Sequence, residues 1–361
     1  MTPYGQYGQP VLLFEAYKQW REKRLVAIQE AASNGMQLQE ADSRADFPEF
    51  LFGPVRTALW HGYQRVAPQW RRYARVENLA DFRERRLRGI NALKGIAYVG
   101  DHGEYPGMRR TERPPAVLSL DTYGGVYAIT RHAILSDDTG ELLNRNPSDM
   151  GYAAATFTAE ALVALIESNP TAPDGVAFFH ASRGNTVTTA LSEDALADAV
   201  SWMEGQLDDD GFHIMVKANA LMVKTARLQL IANRIINSQL TGTQTQIAMA
   251  AGAGSNIFDK GNMNPLQGIL PSDAVVREPF LNDANDWYVF ADPAVVPAFA
   301  IGFLNGNEQP FVGLRDPQVR NAMGAGMDPY TFEFDLIEFK VRHDFGMAPV
   351  DPRAAYRSVV P

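Results

Sequence analysis

Residues 331–346 read TFEFDLIEFKVRHDFG, and their apolar phase breaks in the middle. Phe332, Phe334 and Leu336 alternate with Glu333 and Asp335, the period of a strand with one buried face. From Ile337 the phase inverts, so that Ile337, Phe339 and Val341 are apolar while Glu338, Lys340 and Arg342 are polar. A straight strand cannot carry both phases, because a one-residue slip sends every side chain to the opposite face. The stretch therefore predicts a bulge or bend at Leu336–Ile337, or a strand that leaves one packing layer there and enters another.

Around this stretch, the 361 residues are long for one core and suggest about two domains. Hydrophobic residues make up 46% and charged residues 21%, the balance of a folded globular chain. The run VVPAFAIGFL is far shorter than the roughly 20 residues of a membrane span. The opening MTPYGQYGQP has no basic region followed by an apolar run. The expectation is a soluble protein made in the cytoplasm, with no membrane partner. The absence of cysteine excludes disulfides and thiolate metal sites.

The net charge of −9 is unevenly spread. Eight arginines (Arg65, Arg71, Arg72, Arg75, Arg83, Arg85, Arg86 and Arg88) fall within one short stretch. A basic cluster can bind nucleic acid. This one has no recognisable reading motif and sits in an acidic chain, so salt bridges within the subunit or across an interface are expected.

Along the chain, VLLFEAYKQWREKRLVAIQEAA (11–32) has helical apolar spacing through Leu13, Tyr17 and Trp20, and Asn34-Gly35 stops it. A polar linker follows, so this helix reads as an arm. Residues 47–79 have helical spacing through Phe50, Leu51, Val55, Leu59 and Tyr63. NALKGIAYV and VLSLDTYGGVYAI then read as two legs of a long hairpin around the polar centre GDHGEYPGMRRTERPP. Residues 149–168 form the clearest helix, capped by Ser148, with Met150, Ala154, Phe157, Ala161 and Leu165 as its stripe and Asn169-Pro170 as its stop. Beyond 185 helices and strands alternate: a helix capped by Ser192, the strand HIMVKANALMV, the helix TARLQLIANRIINS, and strands AVVREPF and DWYVFAD. This is an α/β unit distinct from the first half.

Motifs for chemistry are missing. There is no G-x-S-x-G, H-E-x-x-H or G-x-x-x-x-G-K. Gly252-Ala253-Gly254 lacks the third glycine of a dinucleotide fingerprint and reads as a loop. The six histidines show no i, i+4 pair. His180 with Ser182 is a weak catalytic pair, and His343 reads as structural. Asp208-Asp209-Asp210 follows a helix C-terminus, where a cation would be favoured. A solvated turn closed by Gly211 explains the same residues. No catalytic, cofactor-binding or metal residues emerge, which argues against an enzyme.

The order of these parts resembles the major capsid proteins of tailed phages, of the Hong Kong 97-type fold. Mu-like major head subunits and the capsid half of prohead protease–capsid fusions are the most similar. The resemblance is carried by DFPEFLFGPV, YQRVAPQWRRYARVENLADFRERR, LDTYGGVYAITRHAILSDD, DGVAFFHASRGN, DWYVFADP and IEFKVRHDFGMAPVDPRAAYRS, in consistent order from about residue 46 to the end. It implies an α+β capsid fold divided into seven parts. An N-terminal arm (1–46) precedes the start of the P domain (47–87) and an E-loop (88–130). The P domain resumes at 131–187 with a spine helix at 149–168, and the A domain spans 188–308. P-domain strands (309–349) and a return to the A domain (350–361) complete the chain. It also implies a structural protein that self-assembles as hexamers and pentamers into an icosahedral head around double-stranded DNA, without sequence-specific contacts. Portal and scaffold or decoration proteins are further implied partners. An acidic chain suits a wall that must not grip the genome. Trp20, Arg83, Arg85, Arg86, Arg88 and Tyr105 are the candidate assembly contacts. The protease domain of the fusions is missing, and Lys94 lies in no recognisable cross-linking motif. An encapsulin-like compartment and a soluble hydrolase are the competing readings.

Overall fold

The computed structural model describes residues 57–360, except 67–68, 90, 92–95, 97, 100, 102, 106, 109–110, 137–140, 239–267, 316–318, 321–326, 329–330 and 332. The expected arm at 1–46, with Trp20, and the glycine pair at 252 and 254 lie outside the described residues. In chain order the first elements are α1 (57–64), β1 (Ala74–Leu79), β2 (Arg85–Leu87), β3 (Ala116–Leu118), β4 (Asp121–Thr130), α2 (Arg131–Leu135) and α3 (Glu141–Glu167). Then come β5 (Thr186–Val187), α4 (Glu193–Glu204), β6 (Ala218–Val223), α5 (Ala226–Asn237), β7 (Val275–Arg277), β8 (Trp287–Ala291) and β9 (Phe299–Leu304). The last are β10 (Phe311–Leu314), β11 (Val319–Arg320), β12 (Met327–Asp328), β13 (Leu336–Pro349) and β14 (Ala355–Ser358). The architecture is α+β, as expected.

The chain divides into two compact units. One takes residues up to 68, 121–158 and 307–345, and the other takes 69–120, 159–306 and 346–361. In the first, β4 lies antiparallel to β13 in unbroken register, from Thr130 opposite Leu336 to Asp121 opposite Phe345. β10 flanks β13 on its other side. Ile129, Val312, Ile337, Phe339 and Val341 point to one face and form a core with Leu59 of α1. α1 and α3 cross at backbone contact: a Cβ on Gly62 would stand 1.8 Å from the Ser148 carbonyl oxygen, and one on Gly151 2.0 Å from that of Leu59. Both positions require glycine for want of space.

The opening stretch is corrected by this arrangement. No strand bends at Leu336–Ile337. Glu333 and Phe334 lie in a turn, Phe334 is 69% exposed, and Asp335 adopts a positive φ of 49° immediately before β13 begins. The apparent inversion is the boundary between a turn and a strand. A true change of face occurs further on. Ile337, Phe339, Val341, His343 and Phe345 are buried, and then the buried set becomes Gly346, Ala348 and Val350. The strand thus does pass from one layer to another, at Phe345–Gly346, where it leaves the first unit for the second. Gly346 is required there, since a Cβ would fall 1.7 Å from the Ser119 carbonyl oxygen.

The helix expected at 149–168 begins earlier, at Glu141, and contains Pro147 and Ser148 instead of being capped by Ser148. It stops at Glu167, ahead of Asn169 with φ +52°, as the Asn-Pro pair predicts. Its buried face is turned by about one position from the expected stripe. Ala155, Thr158, Ala159, Leu162, Val163 and Ile166 are buried, whereas Phe157 is 43% exposed beside Tyr123 and Phe345. Counting only apolar residues passed over Thr158, which is buried by virtue of its hydrogen bond to His343. Arg145–Glu167 is long and apolar enough by composition to cross a membrane. Its apolarity is accounted for by the core, because Leu162, Val163 and Ile166 are fully buried.

In the second unit the sheet order is β5-β14-β8-β6-β7, with every residue of β8 buried. β1 runs parallel to β9, so part of the helix predicted over 47–79 is a strand. The aromatic core is continuous: Tyr73 stacks on Phe290 at 5.3 Å, and Phe299 lies 4.6 Å from Phe178. Ser192 Oγ accepts from Ala195 N at the start of α4, the cap expected from sequence. Leu196, Val200 and Met203 are buried as predicted, but Leu207 lies beyond the helix and is exposed. The strand expected over 213–223 is shorter, beginning at Ala218.

Candidate assembly surface

The polar hairpin belongs to the second unit, and among its described residues strand pairing is confined to the root. Arg85, Arg86 and Leu87 lie opposite Leu118, Val117 and Ala116. The expected second leg is divided: 116–118 pairs with the root, while 121–130 is β4 and pairs with β13. Asn91, Ile96, Tyr98 and Val99, from the expected first leg, are not in a strand. Alternation at the root is informative. Arg85 and Leu87 face one way, where Leu87 packs against the core cluster that includes Leu79, Leu118 and Ala348, and Arg86 faces the other.

The arginine cluster is therefore not one patch. Arg85 donates to the Asn78 carbonyl at 2.5 Å and pairs with Glu77, which Arg75 also meets at 2.9 Å. Arg72 pairs with Asp273, Arg71 lies over the Trp70 ring and Arg65 over the Tyr152 ring. Arg83 is largely exposed and pairs loosely with Asp81 at 3.8 Å. Arg86 and Arg88 are exposed and have no ion pair among the described residues. The salt bridges expected within the subunit thus engage Arg72, Arg75 and Arg85, and Arg86 and Arg88 are left outward.

The flanks of the hairpin are anchored by the triple aspartate. Asp208 is buried and its Oδ1 accepts from Asp210 N and Phe212 N, which makes the tight turn closed by Gly211. The turn is not simply solvated. Asn91 Nδ2 donates to Asp209 at 3.1 Å, Arg113 Nε pairs with the same oxygen at 3.3 Å, and Thr111 Oγ1 donates to Asp210 at 2.9 Å. Arg113 also approaches Asp351, which holds Arg353 through a bidentate pair, and Arg353 donates to the Leu207 carbonyl. Sequence reading missed this anchor because Arg113 stands in no local motif: its partners Asp209 and Asp351 come from distant stretches of the chain, and only its position beside the polar centre hinted at a role.

Beyond the anchors the hairpin exposes large apolar groups. Ile96 is 89%, Tyr98 96% and Tyr105 85% exposed. A single unit cannot bury them, and such groups mark an interaction surface.

The remaining candidates are structural. His180 Nδ1 lies 2.7 Å from Ser182 Oγ and accepts from Ser182 N, which makes it the cap of a short turn (Ala181–Arg183). His343 is buried between Thr158 Oγ1 and the Glu308 carbonyl; Nε2 must donate to that carbonyl, so Nδ1 is the acceptor in the neutral ring. Burial pushes its pKa down to about 4. In the second unit Glu278 is 3% exposed, with Tyr73 Oη 3.3 Å from its carboxylate, and burial pushes its pKa up to about 7. No group of three potential metal ligands occurs among the described residues.

Residues 114–358 match the family described as phage capsid protein. No curated protein matches. Among solved structures, a chain of Microbacterium phage Oxtober96 is similar with a TM-score of 0.47 and 9% identity, over 82% of this chain and 91% of that one. The capsid of cyanophage P-SCSP1u has a TM-score of 0.45 and 12% identity, over 80% and 86%. A virus-like particle from Pyrococcus furiosus has a TM-score of 0.44 and 12% identity, over 84% and 97%. The class defined here is a structural shell protein. The chain belongs to the phage capsid protein family, and its place is the capsid of a virion.

Proposed function

We propose that the chain is the major head subunit of a tailed phage, which closes into an icosahedral shell of hexamers and pentamers around double-stranded DNA. It is made in the host cytoplasm and works with portal and scaffold or decoration proteins. The observation that carries the reading is the hairpin: a paired, anchored root at β2 and β3, and a tip whose Tyr98 and Tyr105 are almost wholly exposed. An isolated polar hairpin does not stabilise itself in water. Its tip lies on a neighbouring subunit, and Tyr105 is one of its contacts.

Deleting residues 101–108, which spares the anchors Thr111 and Arg113, is the test. A folded subunit that no longer forms closed particles is expected; normal particles would refute the reading. Nuclease-protected DNA in purified particles separates a head from a compartment that holds protein cargo.

A further inference from the structure

The second unit carries one cationic and one anionic feature that no ion pair among the described residues neutralises. On the hairpin root, Arg86 lies opposite Val117 on the outward side of β2, and Arg88 follows two residues later. Neither forms an ion pair among the described residues. α4, with the sequence EDALADAVSWME, holds Glu193, Asp194, Asp198 and Glu204 and not one basic residue. None of these acids forms an ion pair among the described residues. Glu193 and Asp194 suit the positive end of the helix dipole, but Asp198 does not benefit from it and Glu204 stands at the unfavourable end. Asp194 and Asp198 are also like charges at i, i+4, a mildly destabilising pair. Asp198 and Glu204 draw no support from the helix dipole or from an ion pair among the described residues.

The two features match in spacing. Side chains two residues apart on an extended segment are separated by roughly 6.6 Å. Residues at i, i+4 on a helix are separated by about 6 Å along the axis. Both rows are exposed, and their signs are opposite.

We infer that Arg86 and Arg88 of one subunit dock on Asp194 and Asp198 of α4 in a second copy of the chain. The inference rests on the shell reading above and names the acidic partner surface. The contact is heterologous, since two different patches meet, and such contacts build rings when the rotation closes. A polyanion is a poorer occupant of this pair of surfaces, because it could meet the arginines and would be repelled by α4.

The test is a charge swap in the full chain, expressed with its genomic neighbours if the wild type needs them to assemble. R86E/R88E and D194K/D198K should each lower the fraction sedimenting as particles at low salt several-fold. The four-fold combination should return it to within about twofold of wild type. Because the chain has no cysteine, Arg88→Cys with Asp198→Cys gives a second readout that does not depend on assembly yield. A short bis-maleimide should produce a ladder of linked subunits from the double variant and none from either single variant. The pairing is overturned if reversal on α4 leaves assembly unchanged, if the combination assembles no better than its parents, or if no ladder forms. Particles of R86E/R88E that close normally but lose DNA would assign the arginines to the genome and also overturn it. Wild-type protein that forms no particles in any of these settings would instead refute the shell reading itself.

Discussion

Glu278 offers the most quantitative check on the second unit. Its carboxyl is buried against the Tyr73 hydroxyl, itself fully buried, and the pKa is raised from 4.5 to about 7 by loss of solvation. The folded protein therefore holds this proton more tightly than the unfolded chain does. The stabilisation is complete below pH 4.5, falls as pH rises toward 7, and is gone above it. At about 1.4 kcal/mol per pH unit, the swing is on the order of 3 kcal/mol. Glu278→Gln keeps the shape and stays neutral at every pH, so it should match wild type near pH 4.5 and exceed it at pH 8. For a chain of this size, about 3 kcal/mol corresponds to a Tm difference of roughly 4 °C. The assay is thermal unfolding of unassembled full-length subunits, wild type and variant, followed by tryptophan fluorescence from pH 4.5 to 8.5. Trp287 and Trp70 report because both are buried in this unit. Parallel pH profiles for the two proteins would refute the reasoning.

His343 should give the opposite response in the first unit. Its pKa is lowered to about 4 from 6.5, so its contribution is present above pH 6.5 and is lost as pH falls toward 4, again on the order of 3 kcal/mol; His343→Gln should flatten that acid limb in the same unfolding assay. Gly151→Ala places a Cβ 2.0 Å from the Leu59 carbonyl oxygen and should destabilise the subunit by about 1–3 kcal/mol, measured by urea unfolding. Asp209→Asn weakens the anchor shared by Asn91 and Arg113, so trypsin should cut within 83–113 several-fold faster while thermal unfolding changes little.

The parts that could be read from sequence were those with local causes. Ser192 caps its helix because a hydroxyl three residues ahead of a free amide needs nothing from elsewhere. Asn169-Pro170 ends α3 for a similarly local reason. β8 was legible because a strand buried on both faces reads as a continuous apolar run. Errors came where distant residues decide. Phe334 mimics a strand residue by spacing, yet Asp335 takes a positive φ and the strand starts after it. 121–130 looked like a hairpin leg because it follows one, but its hydrogen-bond partner is β13, far along the chain. In the arginine cluster, spacing could not separate Arg85, which finds Glu77 and Asn78, from Arg86, which has no ion pair among the described residues; a two-residue strand alternation around Leu87 was the available signal. The triple aspartate was read correctly as a turn, but its partners Asn91, Thr111 and Arg113 carry no motif.

The passage of α3 and β13 from one compact unit into the other governs how the chain can fold. α3 contributes residues 141–158 to one unit and 159–167 to the other, and β13 divides at 345–346. A helix is propagated as a whole once nucleated, so half of α3 is a poor end state. Neither unit is then an independent folding domain, and a cut at the boundary between them would sever both elements. The first unit also needs strands from 121–130 and 336–345 to meet, a closure between distant parts of the chain that is slow by nature. During synthesis, β4 must wait with one edge unpaired until β13 leaves the ribosome. That interval is when nascent subunits are most exposed to pairing with one another in the wrong way.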